Sequence, residues 1–246
     1  MILPIPGDAI HKMQMYRLLS GILDDGFISR AVFFKGGTCA AILGWLDRFS
    51  IDLDFDVLNK TAKKEIAGRL LDIFQKLNLE VKSKSRNELF YVLAYQSEGT
   101  TRNTLKLSLI DSGIKSNDYA SFYLDEIDRY AMCQTRETMF ANKLVSPIDR
   151  WGKYKTIAGR DIYDIHHFFL QGYRYNQNVI KERTEKNVRT FLMELKGFVE
   201  KKINNKILSQ DLNYLLPSVR FQEIRKNLKQ ETILLLSDEI KRLKSD

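Results

Sequence analysis

At 246 residues, 44% hydrophobic and 28% charged, the chain can bury a real core as one large domain or two small ones, and its composition excludes a disordered or fibrous protein. The formal net charge of +8 favours polyanionic partners such as nucleic acid, nucleotides or an acidic protein, although a solvated lysine-rich surface produces the same number. No run approaches the roughly 20 apolar residues of a membrane span, the first six residues lack a signal peptide's basic start and apolar stretch, and Cys39 and Cys133 sit among apolar residues outside any CxxC pair, so the expectation is a soluble cytoplasmic protein, with no membrane partner and two buried free thiols.

In chain order, Ile10, Met13, Tyr16, Leu19 and Ile22 recur near helical spacing and predict a helix over 8–23. Residues 30–34, RAVFF, read as a short strand running into a tight turn, Lys35-Gly36-Gly37-Thr38, with a helix over about 39–46. Residues 51–57 alternate apolar and acidic, which is strand periodicity. A helix over 61–77 follows, with Thr61 as its N-cap, and then strands over 80–84, 89–96 and 104–110. Beyond about residue 135 the pattern turns helical, over 137–146, 161–170, 179–202 and one or two helices within 212–243. There is no internal repeat and no low-complexity linker. The expected class is α+β: a mixed sheet with flanking helices on one side in residues 1–130, then a C-terminal helical domain in 131–246 that closes a cleft.

The acidic strand carries the chemistry. Side chains on a strand alternate between faces, so Asp52, Asp54 and Asp56 point one way while Leu53, Phe55 and Val57 point to the core. Carboxylates stacked on one face repel and need a counter-charge. A divalent cation such as Mg²⁺ supplies it, taking hard oxygen ligands and sharing its other positions with water and phosphates. A solvated acidic edge strand has the same spacing, and the context decides between the two. Gly36 and Gly37 lie between a strand and a helix, where backbone without Cβ can approach a phosphate and the helix start offers free N–H groups; Thr38 adds a hydroxyl. A glycine turn, a short helix and a D-x-D strand together place a phosphate cradle beside a metal site, as phosphoryl transfer requires. Arg48 and Ser50, just before the strand, either steady phosphate oxygens or end the helix.

The run Lys35-Gly36-Gly37-Thr38, followed by Arg48-Phe49-Ser50-Ile51-Asp52-Leu53-Asp54-Phe55, resembles the first motif of the AbiEii/AbiGii toxin family, part of the nucleotidyltransferase superfamily with a DNA polymerase β-like fold. Ala141-Asn142-Lys143-Leu144, Asp149-Arg150 and Arg160-Asp161-Ile162-Tyr163-Asp164-Ile165 resemble a downstream motif of the same family, so the likeness covers roughly residues 10–170. The resemblance implies an N-terminal nucleotidyltransferase domain, a helical C-terminal domain, and a toxin of a type IV toxin–antitoxin or abortive-infection system with a separately encoded antitoxin. It further implies nucleotide transfer from an NTP to RNA, with the 3′ end of tRNA as acceptor. By position, Gly36, Gly37 and Thr38 would hold triphosphate, flanked by Lys35, Arg48 and Ser50. Asp52 and Asp54 would bind Mg²⁺, and Lys143 and Asp161 would match an essential lysine and aspartate.

Read without the family, Asp161 and Asp164 share a helix face, and Lys143 on a neighbouring helix can neutralise them. Lys143 and Arg150, a heptad apart, share a face if their helix continues that far. An interhelical salt bridge accounts for the same residues, and both readings can hold together. One departure concerns the usual third carboxylate of polymerase β-like sites: the aligned position is Ser108, and Asp111 has the opposite strand parity. The general base is then unassigned between Asp161 and Asp56, and a nucleotidyltransferase acting on protein hydroxyls, or a non-catalytic nucleotide- or antitoxin-binding module, stands as an alternative. His11, His166 and His167 read as ordinary helix histidines, and Phe168, Phe169, Tyr173 and Tyr175 as interhelical core. Lys226, Lys229, Lys241, Arg242 and Lys244 either track an RNA backbone or form the solvated face of an amphipathic helix.

Overall fold

The structure, a computed structural model, describes residues 1–58, 60–97, 102–111 and 113–243; Lys244 lies outside the described residues. The chain folds as two compact units, Met1–Gly113 with Tyr119–Thr135, and Ile114–Asp118 with Arg136–Asp246. The class is α+β, as expected from the sequence.

The first unit is built on seven strands: β1 Val32–Lys35, β2 Asp52–Val57, β3 Glu80–Lys84, β4 Leu89–Ala94, β5 Thr104–Ile110, β6 Tyr119–Leu124 and β7 Arg129–Gln134. They form one sheet in the order β3-β4-β5-β2-β1-β7-β6. The β1/β7 and β2/β5 pairs are parallel and the other pairs antiparallel, so the sheet is mixed. Among its described residues this unit has four α-helices: α1 Asp8–Asp24, α2 Ile28–Ala31, α3 Gly36–Ile42 and α4 Lys63–Lys76. Alternation in the central strands sends Phe34, Leu53, Phe55, Leu105, Leu107 and Leu109 to full burial. Each contributes about 1.5–3 kcal/mol relative to exposure. Helix α1 packs across β2, β5 and β7, and buries Met15, Leu18, Leu19 and Ile22.

Several local expectations shift by a turn. Arg30 and Ala31 belong to α2, because the Asp25 carboxylate accepts hydrogen bonds from the backbone N–H groups of Phe27 and Ile28, both at 2.9 Å, and starts a helical turn there. Strand β1 therefore begins at Val32. Helix α3 starts at Gly36 itself, so the glycines form its first turn rather than a loop before it. Thr61 does not cap α4: a 3-10 turn over Lys60–Ala62 intervenes and the N-cap position is Ala62, with no side-chain cap. The β6–β7 hairpin has no counterpart in the sequence reading. Strand β6 is exposed or half-buried at every residue except Leu124, so it lacks the buried/polar alternation that announces a strand.

The second unit is helical: α5 Arg136–Tyr154, α6 Gly159–Leu170, α7 Gln177–Thr184, α8 Val188–Lys202, α9 Asn205–Leu212, α10 Ser218–Ile224 and α11 Leu228–Arg242. Helix α6 is central; Ile162, Tyr163, Ile165 and Phe168 are fully buried, and α5, α9 and α11 pack on it. Phe140 of α5 meets Phe168 and Phe169 at ring distances of 5.0 and 4.8 Å; Phe140 and Phe168 are core and Phe169 is half-buried at its edge. Helix α5 does not stop before Pro147 but runs through it, losing the bond to the Lys143 carbonyl; one residue earlier the Ser146 hydroxyl donates to the Asn142 carbonyl at 2.7 Å. The single helix expected over 179–202 is two. Glu185, at φ 56°, ends α7, and the Asn187 side chain caps α8 by accepting from the Thr190 N–H at 2.8 Å. Among the described residues no helix is long and apolar enough to cross a membrane.

Candidate active site

Strand register decides which side chains share the acidic face. Antiparallel pairing sets Lys35 opposite Asp54 and Phe33 opposite Asp56. Parallel pairing sets Asp52 beside Lys106 and Asp54 beside Ser108. Paired residues project to one side of a sheet, so Lys35, Asp52, Asp54, Asp56, Lys106 and Ser108 lie on one face, opposite the buried leucines and phenylalanines. The Ser108 position is thus the nearest neighbour of Asp54 on the next strand, where a third carboxylate would have to stand.

The three aspartates are not equivalent. Asp52 and Asp54 are half-buried. Asp56 is only 1% exposed. Its Oδ1 pairs with the Lys35 ammonium at 2.5 Å, and its Oδ2 accepts from the Tyr119 hydroxyl at 2.8 Å and the Gln134 amide at 2.7 Å. A buried carboxylate saturated by a cation and two donors has no room to take a proton from a substrate hydroxyl, so Asp56 is removed as a general base. Tyr119 and Gln134 come from β6 and β7, the hairpin that sequence reasoning missed.

The glycines close on the acidic strand from β1 and α3. Gly36 has φ +80°, and a Cβ built on it would lie 2.7 Å from Asp54 Oδ2. One on Gly37 would lie 2.9 Å from Ser50 Oγ and 3.0 Å from Arg48 Nη2. Both approaches require glycine, the first also for its backbone conformation. Arg48 is buried, with Nη1 donating to the Phe49 carbonyl at 2.9 Å. Thr38 is fully buried; its hydroxyl is 2.5 Å from the Asp52 carbonyl and 2.9 Å from Ser50 Oγ. A carbonyl can only accept, so the single Thr38 proton goes to Asp52 and Ser50 donates to Thr38. Thr38 and Ser50 thereby tie the start of α3 to the start of β2.

His11, a helix histidine as expected, braces the same point. Its Nε2 lies 3.0 Å from the Ile51 carbonyl and its Nδ1 2.8 Å from the Tyr95 hydroxyl. Burial holds its pKa below the ordinary imidazole value, while the Ile51 carbonyl pulls the other way. Tyr95 is pushed up to about 12, chiefly by burial. Cys39 and Cys133 are buried free thiols, and burial pushes the Cys39 thiol up.

In the second unit Lys143 pairs with Asp164 at 2.7 Å and Arg150 with Asp161 at 3.0 Å. Both pairs link α5 to α6, so Lys143 and Arg150 do share a face of one continuous helix. Asp164 is fully buried and Asp161 nearly so. His166 meets Glu231 at 2.7 Å, which joins α6 to α11.

Among the described residues no group of three or more His, Cys, Asp or Glu side chains stands at metal-ligand spacing. Two carboxylates suffice for Mg²⁺, which commonly takes one or two from protein and the rest from water and phosphate. Asp52 and Asp54 stand as such a pair on one strand face, with the Gly36 backbone directly against Asp54.

A glycine-started helix pressed onto a D-x-D strand at the centre of a mixed sheet defines the protein as a nucleotidyltransferase. The chain belongs to the AbiEii family, nucleotidyl transferase toxins of type IV toxin–antitoxin systems, whose model matches residues 17–238. A search of curated proteins returns no match. Solved structures share the fold. JHP933 from Helicobacter pylori is 20% identical, with 99% of this chain and 96% of that chain covered and a TM-score of 0.61. A putative nucleotidyltransferase from H. pylori is 19% identical, with 98% of each chain covered and a TM-score of 0.62. MenT4, a nucleotidyltransferase toxin from Mycobacterium tuberculosis H37Rv, is 15% identical, with 96% of this chain and 87% of that chain covered and a TM-score of 0.53.

Proposed function

We propose that the protein is a Mg²⁺-dependent toxin that transfers a nucleotide from an NTP to RNA, with the 3′ end of cytoplasmic tRNA as acceptor, and is held in check by a separately encoded antitoxin. The observation that carries this reading is the approach of Gly36 to Asp54: a glycine-lined helix start lies directly against one of two half-buried carboxylates on a single strand face. Bound Mg²⁺ would supply charge neutralisation of the triphosphate and of the developing transition state. Asp52 and Asp54 hold it in this reading, and the backbone N–H groups at Gly36 and Gly37 orient the phosphates for in-line attack by a nucleic-acid hydroxyl on the α-phosphate. Lys35, Arg48, Ser50 and Thr38 shape the turn from beneath. Lys143 and Asp161 enter the proposal through the family motif alone.

The test is incubation with labelled NTPs, Mg²⁺ and total tRNA. Label is expected on tRNA with the native chain and not with Asp52→Ala. The reading fails if no label transfers, or if Asp52→Ala behaves identically. Label on protein instead of RNA would make protein hydroxyls the acceptor. A second reading, nucleotide binding without turnover, is favoured by the Asp54–Ser108 register, which puts a hydroxyl where a third carboxylate would activate the acceptor. Mg²⁺-dependent NTP binding with no transfer to any acceptor would establish it.

A further inference from the structure

The net positive charge of this protein resides in one of its two units. The first unit has 16 Lys and Arg against 16 Asp and Glu; the second has 23 against 15, which is the whole net charge of +8. Within the second unit two lysines converge on one indole. Lys202 Nζ, at the end of α8, is 4.6 Å from the Trp151 ring centroid, and Lys155 Nζ, just past the end of α5, is 5.8 Å from it. Phe198 packs against the ring at 6.3 Å. Lys155 adopts φ +53°, a conformation usually left to glycine or asparagine at a helix end, with its N–H bonded to the Trp151 carbonyl at 3.1 Å. That bend keeps the Lys155 stem beside the indole instead of continuing the helix.

Among the described residues no carboxylate lies within 4.0 Å of the Lys155, Lys201 or Lys202 ammonium groups. The carboxylates of α8 are engaged further up the helix, Glu194 by Lys186 and Glu200 by Lys196 at 3.5 Å. Two cations drawn to one ring repel each other, and an anion between them relieves the repulsion. Tyr154, 70% exposed and adjacent in sequence, adds an uncovered aromatic face. Unpaired cations interleaved with aromatic rings suit a strand that alternates phosphates and bases; an acidic peptide would use the cations but leave the rings idle.

We propose that the Trp151–Lys155–Lys202 cluster is an RNA-docking site, with phosphates between the two lysines and bases stacked on the aromatic rings. The proposal rests on the reading that RNA is the acceptor, and it adds where on the chain that RNA is held.

The chain has two tryptophans, so Trp45→Phe leaves Trp151 as the sole indole reporter. Its fluorescence is followed, without NTP or Mg²⁺, on titration with total tRNA, an unstructured oligoribonucleotide, poly-glutamate and inorganic phosphate. Both RNAs should change the Trp151 signal. Lys155→Glu with Lys202→Glu, at exposed positions, should raise the half-saturating RNA concentration about tenfold or more, and reduce the slope of log affinity against log salt by nearly two contacts. The milder pair Lys155→Gln and Lys202→Gln should shift both in the same direction while melting like the native chain. The proposal is overturned if the variants bind RNA with unchanged affinity and slope, or if poly-glutamate or phosphate alone reproduces the signal. Its failure is separable from failure of the transfer reading. Transfer to tRNA with an unchanged KM for tRNA in the double variants removes the docking site alone. An RNA-dependent Trp151 signal in a chain that labels no acceptor removes transfer alone.

Discussion

Gly36 and Asp54 are packed so closely that a methyl group on the Gly36 α-carbon would stand 2.7 Å from a carboxylate oxygen. The absent side chain permits this close approach, and the consequences divide into a backbone part and a contact part.

Gly36→Ala should lose nucleotide transfer at least tenfold and destabilise the chain by about 1–3 kcal/mol, because alanine strains a φ of +80° and its Cβ displaces Asp54. Gly44→Ala is the control: its φ is +71°, yet nothing lies within 4 Å of the added Cβ. It should show only the backbone cost, about 1 kcal/mol, with activity retained. Equal effects of the two substitutions on melting and on transfer would refute the contact.

Asp52 and Asp56 should respond oppositely to alanine although they share one strand face. Asp56→Ala leaves Lys35, Tyr119 and Gln134 without their buried acceptor, and should cost about 3 kcal/mol, with Asp56→Asn costing less. Asp52→Ala removes one of two like charges and should leave stability within about 0.5 kcal/mol while abolishing transfer. Thermal melts measure this directly, at about 2–4 °C per kcal/mol for a chain of this size. If Asp52→Ala melts as low as Asp56→Ala, the division of roles is wrong.

Acid should weaken the fold through His11. Its pKa is lowered in the folded chain, chiefly by burial. The unfolded chain therefore takes up the proton first as pH falls through about 6.5, while the folded chain stays neutral to a lower pH. Over that window the unfolded state binds more protons, so stability falls with falling pH; above about pH 7.5 the residue contributes no slope. Urea denaturation between pH 5 and 8 should show the decline, and His11→Gln should flatten it. An unchanged slope in that variant would exclude His11 as the source.

Two glycines of the second unit should move stability in opposite directions. A Cβ on Gly159 would lie 2.8 Å from the Ile207 carbonyl and from Leu208 Cα, which are backbone atoms of α9 and its start. Gly159→Ala should force α6 and α9 apart and cost about 1–3 kcal/mol. Gly197 sits inside α8 with open space around it, and Gly197→Ala should stabilise by about 0.5–1 kcal/mol. Matching signs in the two melts would count against this packing of α6 on α9.

Much of the candidate site was legible before any fold was known, because its cues are local. Strand periodicity is a property of neighbouring residues, so Asp52 and Asp54 could be put on one face from the alternation alone. Gly36 and Gly37 marked a close approach only in combination with the short helix and the D-x-D strand that follow, since a glycine pair alone occurs in many turns. What Gly36 approaches, Asp54 Oδ2, required the pairing of β1 with β2. Asp56 shows the limit most clearly. By alternation it is identical to its two neighbours in the row, yet it is buried by Tyr119 and Gln134, 63 and 78 residues further along. Those donors arrive only because β7 lies beside β1 in the sheet, a fact of strand order that no local period encodes. In the second unit the residue types showed that α5 and α6 would meet through opposite charges, but the pairing of Lys143 with Asp164 and of Arg150 with Asp161 follows from a helix that continues through Pro147. The sequence by itself determined two carboxylates on one strand face beside a glycine-lined helix start. Only the tertiary structure decided that Asp56 is fully buried while Asp52 and Asp54 are half-buried, because burial depends on groups brought from distant strands.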